Sequence, residues 1–353
     1  MLFNLEHDHG DIIEGYLIPD GFSDKPVVKV TLDDGSSFVL PCDQMRKAAQ
    51  ESGRHMTGLV GFRLDQSNTA ELAQQSSLSI HDANTGLLIY RRPGLEKLLD
   101  IKLFRLELRM IPTTRLDIHC GRYFQYAMST AERFGNETTL QMFHLNAIKS
   151  IYIGGRLRLR GYEEFLDKGF KFVCSIPEPY YEMASRLFIL KRLSQQSVSF
   201  ISDRDSILMK QAAQHFDEVN LEDEDQIKRA LKKANDKVKN ILVSPVTRQI
   251  VCRDAEQKVT RQDIAGALDL TSRFTAVGYD NDDGHFEQTL GEIIKISPHE
   301  IPITPRYSYL EILAGKLRNM RIAESMLEED LIFDYYIRKA VAPDKTLIIE
   351  TTS

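Results

Sequence analysis

Leu103-Phe104-Arg105-Leu106-Glu107-Leu108-Arg109-Met110-Ile111-Pro112-Thr113-Thr114-Arg115 is the stretch on which the fold turns. Apolar and charged residues alternate through it, which predicts a strand over 103–111. Pro112 breaks that pattern, and helical spacing follows from Arg115 to Phe134. Two more strands are predicted downstream, at Ser150-Ile151-Tyr152-Ile153 and at Phe170-Lys171-Phe172-Val173-Cys174-Ser175-Ile176. The stretch from Pro179 to Leu193 then places Met183, Leu187 and Leu190 on one helical face. Strands alternating with helices predict a three-layer α/β/α domain with a mainly parallel sheet.

Upstream the period is different. Ile12 to Leu17 is a short apolar stretch that ends at the turn Pro19-Asp20-Gly21. Val27-Val28-Lys29-Val30-Thr31-Leu32 is rich in β-branched residues, and Asp33-Asp34-Gly35 closes it. Ser37-Phe38-Val39-Leu40 is its expected hairpin partner. Leu59 to Leu64, Leu78 to His81 and Leu87 to Tyr90 read as later strands. Short strands with regular turns predict a small all-β sandwich or barrel over 1–92. Arg91-Arg92-Pro93-Gly94 marks the expected boundary, and 95–353 forms the α/β domain.

Residues 205–243 read as helical, with Asp217, Glu218 and Glu222 to Asp225 preceding Lys228, Arg229, Lys232 and Lys233. Acid at a helix start and base at its end complement the backbone dipole, so this run is expected to be a solvated face.

The chain has 353 residues and a net charge of -6. That length suits two domains, and the acidic balance argues against a nucleic-acid partner, which phosphate neutralisation would require to be basic. Cys42, Cys120, Cys174 and Cys252 form no CxxC pair. Neither a zinc site nor a disulfide framework is expected, and reduced thiols suggest a cytoplasmic protein. Met1 to Leu17 lacks the charged and apolar regions of a signal peptide. No uncharged apolar run reaches the roughly 18 residues that a membrane span needs.

Four blocks carry chemistry. The first is Pro112-Thr113-Thr114-Arg115, where a helix start offers free N–H groups, Thr113 and Thr114 add hydroxyls, and Arg115 adds charge. Such a turn suits phosphate, and an ordinary Thr-capped turn reads the same way. In the second, Gly154-Gly155 ends a strand and Arg156, Arg158 and Arg160 alternate with Leu157 and Leu159. If extended, the arginines share a face that favours acidic ligands; the alternative is a charged edge. The third runs from Pro177 to Ser185, where Ser185 lies inside a helix, two turns from a strand end. The fourth is Ser244-Pro245-Val246-Thr247-Arg248, followed by Phe274-Thr275-Ala276-Val277-Gly278 and by Phe286 to Leu290.

In this order the blocks resemble the PAPS-dependent sulfotransferases, with a P-loop-like fold, and most of all the carbohydrate type that includes heparan 2-O-sulfotransferases and bacterial relatives. The resemblance runs from about residue 103 to 341 and takes in Glu328 to Leu331 and Tyr335. It implies PAPS as the sulfuryl donor and a carbohydrate or glycan acceptor, with no metal. Cofactor-binding roles fall on Pro112, Thr113, Thr114, Arg115, Ser185 and Arg248. The chain departs from the pattern at three places. The family's phosphosulfate lysine falls on Thr113, its 3′-phosphate arginine on Pro177, and its catalytic histidine on Gly155.

The expected function is therefore sulfuryl transfer to a carbohydrate hydroxyl. His144 or His119 would serve as the base, and Arg156, Arg158 and Arg160 would contact an acidic acceptor. The three departures leave open a catalytically degenerate scaffold that binds an anionic saccharide or a protein partner. The N-terminal β-domain suits either role. Another nucleotide- or sugar-phosphate transferase is a further alternative, because fold does not fix chemistry.

Overall fold

The computed structural model describes residues 1–94, 97–254, 256–280 and 284–341. The expected domain start at 95 and end at 353 lie outside the described residues.

The first 92 residues form strands β1 (Leu2–Asp8), β2 (Ile13–Ile18), β3 (Val27–Leu32), β4 (Ser37–Pro41) and β5 (Gln44–Met45). A short helix α1 (Lys47–Glu51) precedes β6 (Leu59–Leu64), β7 (Leu78–Asp82) and β8 (Leu88–Arg92). They make two four-stranded antiparallel sheets, ordered β1-β2-β6-β5 and β4-β3-β7-β8. The hairpin β3/β4 pairs Val30 with Phe38 across the Asp33-Asp34-Gly35 turn. Gly35 takes a φ of +81°, a left-handed conformation that glycine adopts without strain. Inward residues Phe3, Ile13, Val28, Val30, Phe62 and Ile80 are fully buried. Asp8 ties the sheets together, accepting from Tyr90 Oη at 2.8 Å and from Arg92 Nε at 2.7 Å.

From there the chain alternates. β9 (Lys102–Leu106) leads to α2 (Thr114–Gly121), β10 (Tyr126–Met128), α3 (Gly135–Phe143), β11 (Ile151–Gly155), α4 (Glu164–Asp167), β12 (Phe170–Ile176) and α5 (Pro179–Gln195). A helical run follows, α6 (Asp203–Phe216), α7 (Glu224–Lys233), α8 (Asp236–Leu242), α9 (Pro245–Val251) and α10 (Arg261–Ser272). Then come β13 (Ala276–Tyr279), α11 (His285–Ile294), α12 (Ser308–Arg318), α13 (Arg321–Met326) and α14 (Glu328–Val341). The sheet order is β10-β11-β9-β12-β13, and β10 pairs with β11, and β12 with β13, in parallel. This is the α/β class that the alternation predicts, preceded by antiparallel β structure.

Three local expectations need correction. The strand predicted over 103–111 stops at Leu106: Glu107 N–H still bonds the Gly155 carbonyl at 2.9 Å, but Arg109 N–H turns to the Glu107 carboxylate instead of a neighbouring strand. Arg115 to Phe134 is not one helix: α2 ends at Gly121, β10 follows, and Ala131–Phe134 is a 3₁₀ turn. The helical reading of 205–243 lacked its breaks: the stretch lies in three helices, α6 to α8, and Asp223 caps α7 by accepting from Asp225 and Gln226 N–H.

By internal contact the chain divides into two compact units. One is Met1–Lys102 with Cys120–Ile153, and the other is Leu103–His119 with Gly154–Ser353. In the first, Phe3 stacks on Tyr126 at 6.4 Å, and Thr138 Oγ1 donates to the Met1 carbonyl. In the second, Phe172 meets Phe104 and Phe274 edge-on at 4.9 and 5.5 Å. There the predicted face of α5, Met183, Leu187 and Leu190, packs with Phe216, Leu231, Leu313 and Leu317. All four cysteines are buried. No described helix is long and apolar enough to cross a membrane.

Candidate functional site

The carboxyl ends of β9, β12 and β13 open into a cleft of about 870 Å³ in the second unit. Ligands of open α/β sheets bind at this end, where connecting loops leave a crevice. Arg109 follows β9, Ser175 lies near the end of β12, Tyr279 ends β13 and Asp280 directly follows it. The walls are the turn 111–116, Tyr181, Glu182 and Ser185 of α5, Phe286 and Glu287 of α11, and the segment 302–307.

The turn is built around a buried carboxylate. Glu107 accepts from Thr113 N–H at 2.7 Å and from Thr113 Oγ1 at 2.8 Å. Burial raises the Glu107 carboxyl, but the charges of Arg105 and Arg109 and the Thr113 bonds outweigh it. The acid is held down at about 2. Arg105 in turn grips Asp117 of α2 through two bonds of 2.5 and 2.8 Å. With Thr113 so fixed, α2 begins at Thr114, and Leu116 and Asp117 N–H both point back to the Thr113 carbonyl. Arg115 is exposed beside the cleft.

On α5, Glu178 caps the helix by accepting from Tyr181 N–H at 2.7 Å, with Pro179 in the first turn. That register aims Tyr181, Glu182 and Ser185 at the cleft. The Ser185 hydroxyl donates to Tyr181 O at 2.9 Å and keeps its lone pairs for an incoming donor. Glu182 accepts from Met110 N–H at 3.0 Å and pairs with Arg186 at 2.7 Å. Burial still pushes its carboxyl up to about 7. Asp280 accepts from Arg109, from Arg306 at 2.9 Å and from Glu178 N–H at 3.1 Å.

Of the residues singled out in the sequence, Pro112, Thr113, Thr114, Arg115 and Ser185 line this one cleft. The others lie elsewhere. Arg248 sits in α9 and donates to the Gln257 carbonyl at 2.9 Å. Its block is held by the last helix, since Asp330 accepts from Val246 and Thr247 N–H and Glu329 accepts from Ser244 Oγ. Gln249 ties the same block to the turn by donating to Glu107 O at 2.6 Å.

The arginine alternation is not carried by a strand. β11 ends at Gly155, and Leu159–Gly161 curls into a 3₁₀ turn. Arg156 turns to Met110 O and Asp205, Arg160 pairs with Glu163 at 2.8 Å, and Arg158 is exposed. Neither histidine lines the cleft. His119 lies half-buried on α2, and His144 caps α3 in the other unit.

Sequence reasoning missed Arg109, Ser175, Glu182, Asp280 and Arg306. Ser175 and Asp280 had a usable signal, because each stands at the carboxyl end of a recognised strand. Arg109 was hidden by the alternation that read 103–111 as strand, and Arg306 had no signal.

No family model matches this chain, and no curated protein matches it. Among solved structures, the sulfotransferase from Alicyclobacillus acidocaldarius is similar to it at 12% identity and a TM-score of 0.32. That match covers 65% of this chain and 97% of the other.

Proposed function

We propose that the chain is a sulfotransferase-like protein whose cleft takes PAPS and passes its sulfuryl group to a carbohydrate hydroxyl. One observation carries the reading. The turn 112–115 and Ser185, some seventy positions apart, line a single cleft at the carboxyl ends of the sheet. PAPS supplies the activated sulfuryl group when bound. The residues fit it in part. Thr114 at the start of α2 and the Arg115 guanidinium serve the 5′ phosphosulfate, and Ser185 serves the 3′ phosphate by turning its O–H from Tyr181 O to a phosphate oxygen. Thr113 serves indirectly, because its hydroxyl and N–H are committed to Glu107. Pro177 has no N–H to give.

Titration with PAP, the desulfated donor, tests this. Binding that weakens about tenfold in Arg115→Ala, the loss of one charge-assisted contact, supports the assignment. Absence of PAP binding to the wild-type chain overturns it.

A second reading, a non-catalytic binder of an anionic saccharide or of a protein, is favoured by a specific feature. Among the described residues that line the cleft there is no histidine, and Arg109 and Arg306 are both bonded to Asp280. Sulfated product from PAPS and a glycan acceptor separates the two readings.

A further inference from the structure

We infer that Arg156 is a positioning residue of the cleft: together with Glu182 it holds both backbone polar groups of Met110, and so sets the turn that takes the donor's anion. The inference rests on the reading of the cleft as a donor site and names what fixes the geometry of that site.

The chain between β9 and α2, residues 107–113, lies in neither strand nor helix. Its buried N–H and C=O groups still need partners, and side chains supply them. Glu107 accepts from Arg109 N–H at 3.1 Å and from Thr113 N–H at 2.7 Å. Glu182 accepts from Met110 N–H at 3.0 Å, and Arg156 Nη1 donates to the Met110 carbonyl at 3.1 Å. Met110 is fully buried, so water cannot stand in for either partner. Its neighbours Arg109 and Ile111 both line the cleft, and the wall continues to Leu116. A grip on the Met110 backbone therefore sets where that wall begins.

The Arg156 side chain is 11% exposed, and its Nη2 is held by Asp205 of α6 at 3.2 Å. One nitrogen of a rigid planar fork is thus anchored while the other meets the carbonyl. Asp205 and Glu182 offset the cost of burying the cation. The charge of Arg156 also acts on Glu182. Burial pushes that carboxyl up, and Arg186, the Met110 bond and Arg156 pull against it.

Arg156 is separable from the other members of this network. Glu182 lines the cleft and Glu107 fixes Thr113 directly, but Arg156 does not line the cleft. Its loss removes no ligand contact, so its effect on a ligand passes through the turn. Displacement of a binding group by about 1 Å is enough to cost a site much of its function.

The test uses the full chain. Amide hydrogen exchange is followed in the wild type, Arg156→Gln, Arg156→Lys and Asp205→Asn, beside calorimetric titration with PAP. Thermal unfolding checks that each variant folds. In Arg156→Gln the amides of Arg109, Met110 and Thr113 are expected to exchange about tenfold faster, with β12 and β13 unchanged, and PAP affinity to fall about tenfold. Arg156→Lys restores part of both. Asp205→Asn leaves an oxygen for Arg156 and changes each by less than about threefold.

Unchanged exchange at the three amides in Arg156→Gln overturns the inference even where PAP binds more weakly, because that loss reports only a missing charge. Faster exchange with unaltered PAP affinity overturns it too, since the turn then moves without consequence for the ligand. An Asp205→Asn variant as impaired as Arg156→Gln assigns the effect to α6 and not to the Met110 bond, with the same result. If Arg156→Gln does not fold, Arg156→Lys is read in its place, and wild-type exchange and affinity there overturn the inference. If the wild type binds no PAP, the donor reading falls, and exchange alone decides whether Arg156 holds the turn.

Discussion

Thr113 gives both its backbone N–H and its hydroxyl to a single oxygen of Glu107, at 2.7 and 2.8 Å. The turn that leads into α2 is thereby pinned to a buried carboxylate, and the start of α2 is set by it. The same Glu107 pairs with Arg105 at 3.1 Å and accepts from Arg109 N–H. It organises the turn without lining the cleft itself.

Replacing Glu107 by Ala should therefore cost about 3 kcal/mol of stability, since it leaves buried donors unpaired. Urea unfolding at pH 7 measures this. The acid's own contribution has a defined sign. Its folded pKa of about 2 lies below the ordinary 4.5, so the stabilisation is present above pH 4.5 and is lost as pH falls toward 2. Glu107→Gln should remove that part of the acid dependence. A cost below 1 kcal/mol for Glu107→Ala would mean that the turn is held by other contacts.

Glu182 behaves in the opposite way. Burial lifts its folded pKa to about 7, above the ordinary 4.5. The folded chain therefore holds a proton that the unfolded chain releases. The resulting stabilisation is complete below pH 4.5 and disappears as pH rises through 7. In Glu182→Gln this loss between pH 4.5 and 7 should be absent, while Met110 N–H keeps an oxygen to bond. Parallel unfolding curves for wild type and variant across that range would show that Arg186 keeps the carboxylate ionised throughout.

Limited proteolysis is expected to nick the chain near Arg91–Gly94, where Pro93 and Gly94 follow β8. The fragments should nonetheless stay together in native gel filtration. Residues after the nick complete the unit that residues before it begin: Phe3 stacks on Tyr126, and Gln141 Nε2 donates to the Phe3 carbonyl at 3.2 Å. Separation of the two pieces without denaturant would show instead that 1–92 stands alone.

Much of the fold was legible because strand period and turn residues are local. The hairpin β3/β4 was written in Val27 to Leu40, and α5 was written in Pro179, Met183, Leu187 and Leu190. β10 was not legible. It has three residues, too few for a period to register, and its pairing with β11 is a long-range event. The cleft was half legible. Thr114 and Ser185 could be read from block order. The Arg109–Asp280–Arg306 clamp joins positions up to 197 apart, as 306 less 109, and nothing in local spacing reports such a meeting. The arginines of 156–160 misled for a related reason: alternation implies a shared face only if the backbone stays extended, and here it curls.

The last prediction concerns Gly154, which the sequence marks only as half of a glycine pair. A Cβ added there would lie 2.5 Å from Asp117 Oδ1, 2.6 Å from its Cγ and 2.7 Å from Oδ2. No real Cβ sits that close, so Asp117 would have to leave. It cannot move freely, because its carboxylate is gripped by Arg105 through two short bonds and both side chains are about 95% buried or more. Gly154→Ala should then cost about 3 kcal/mol, the penalty of breaking a buried ion pair. A double-mutant cycle separates this cause from a general strain of β11. In an Asp117→Ala background the space is open, and adding Gly154→Ala should cost less than about 1 kcal/mol. If the glycine change costs the same with and without the Asp117 carboxylate, the close packing of that carboxylate is not what reserves position 154 for glycine, and the backbone of β11 must be the reason.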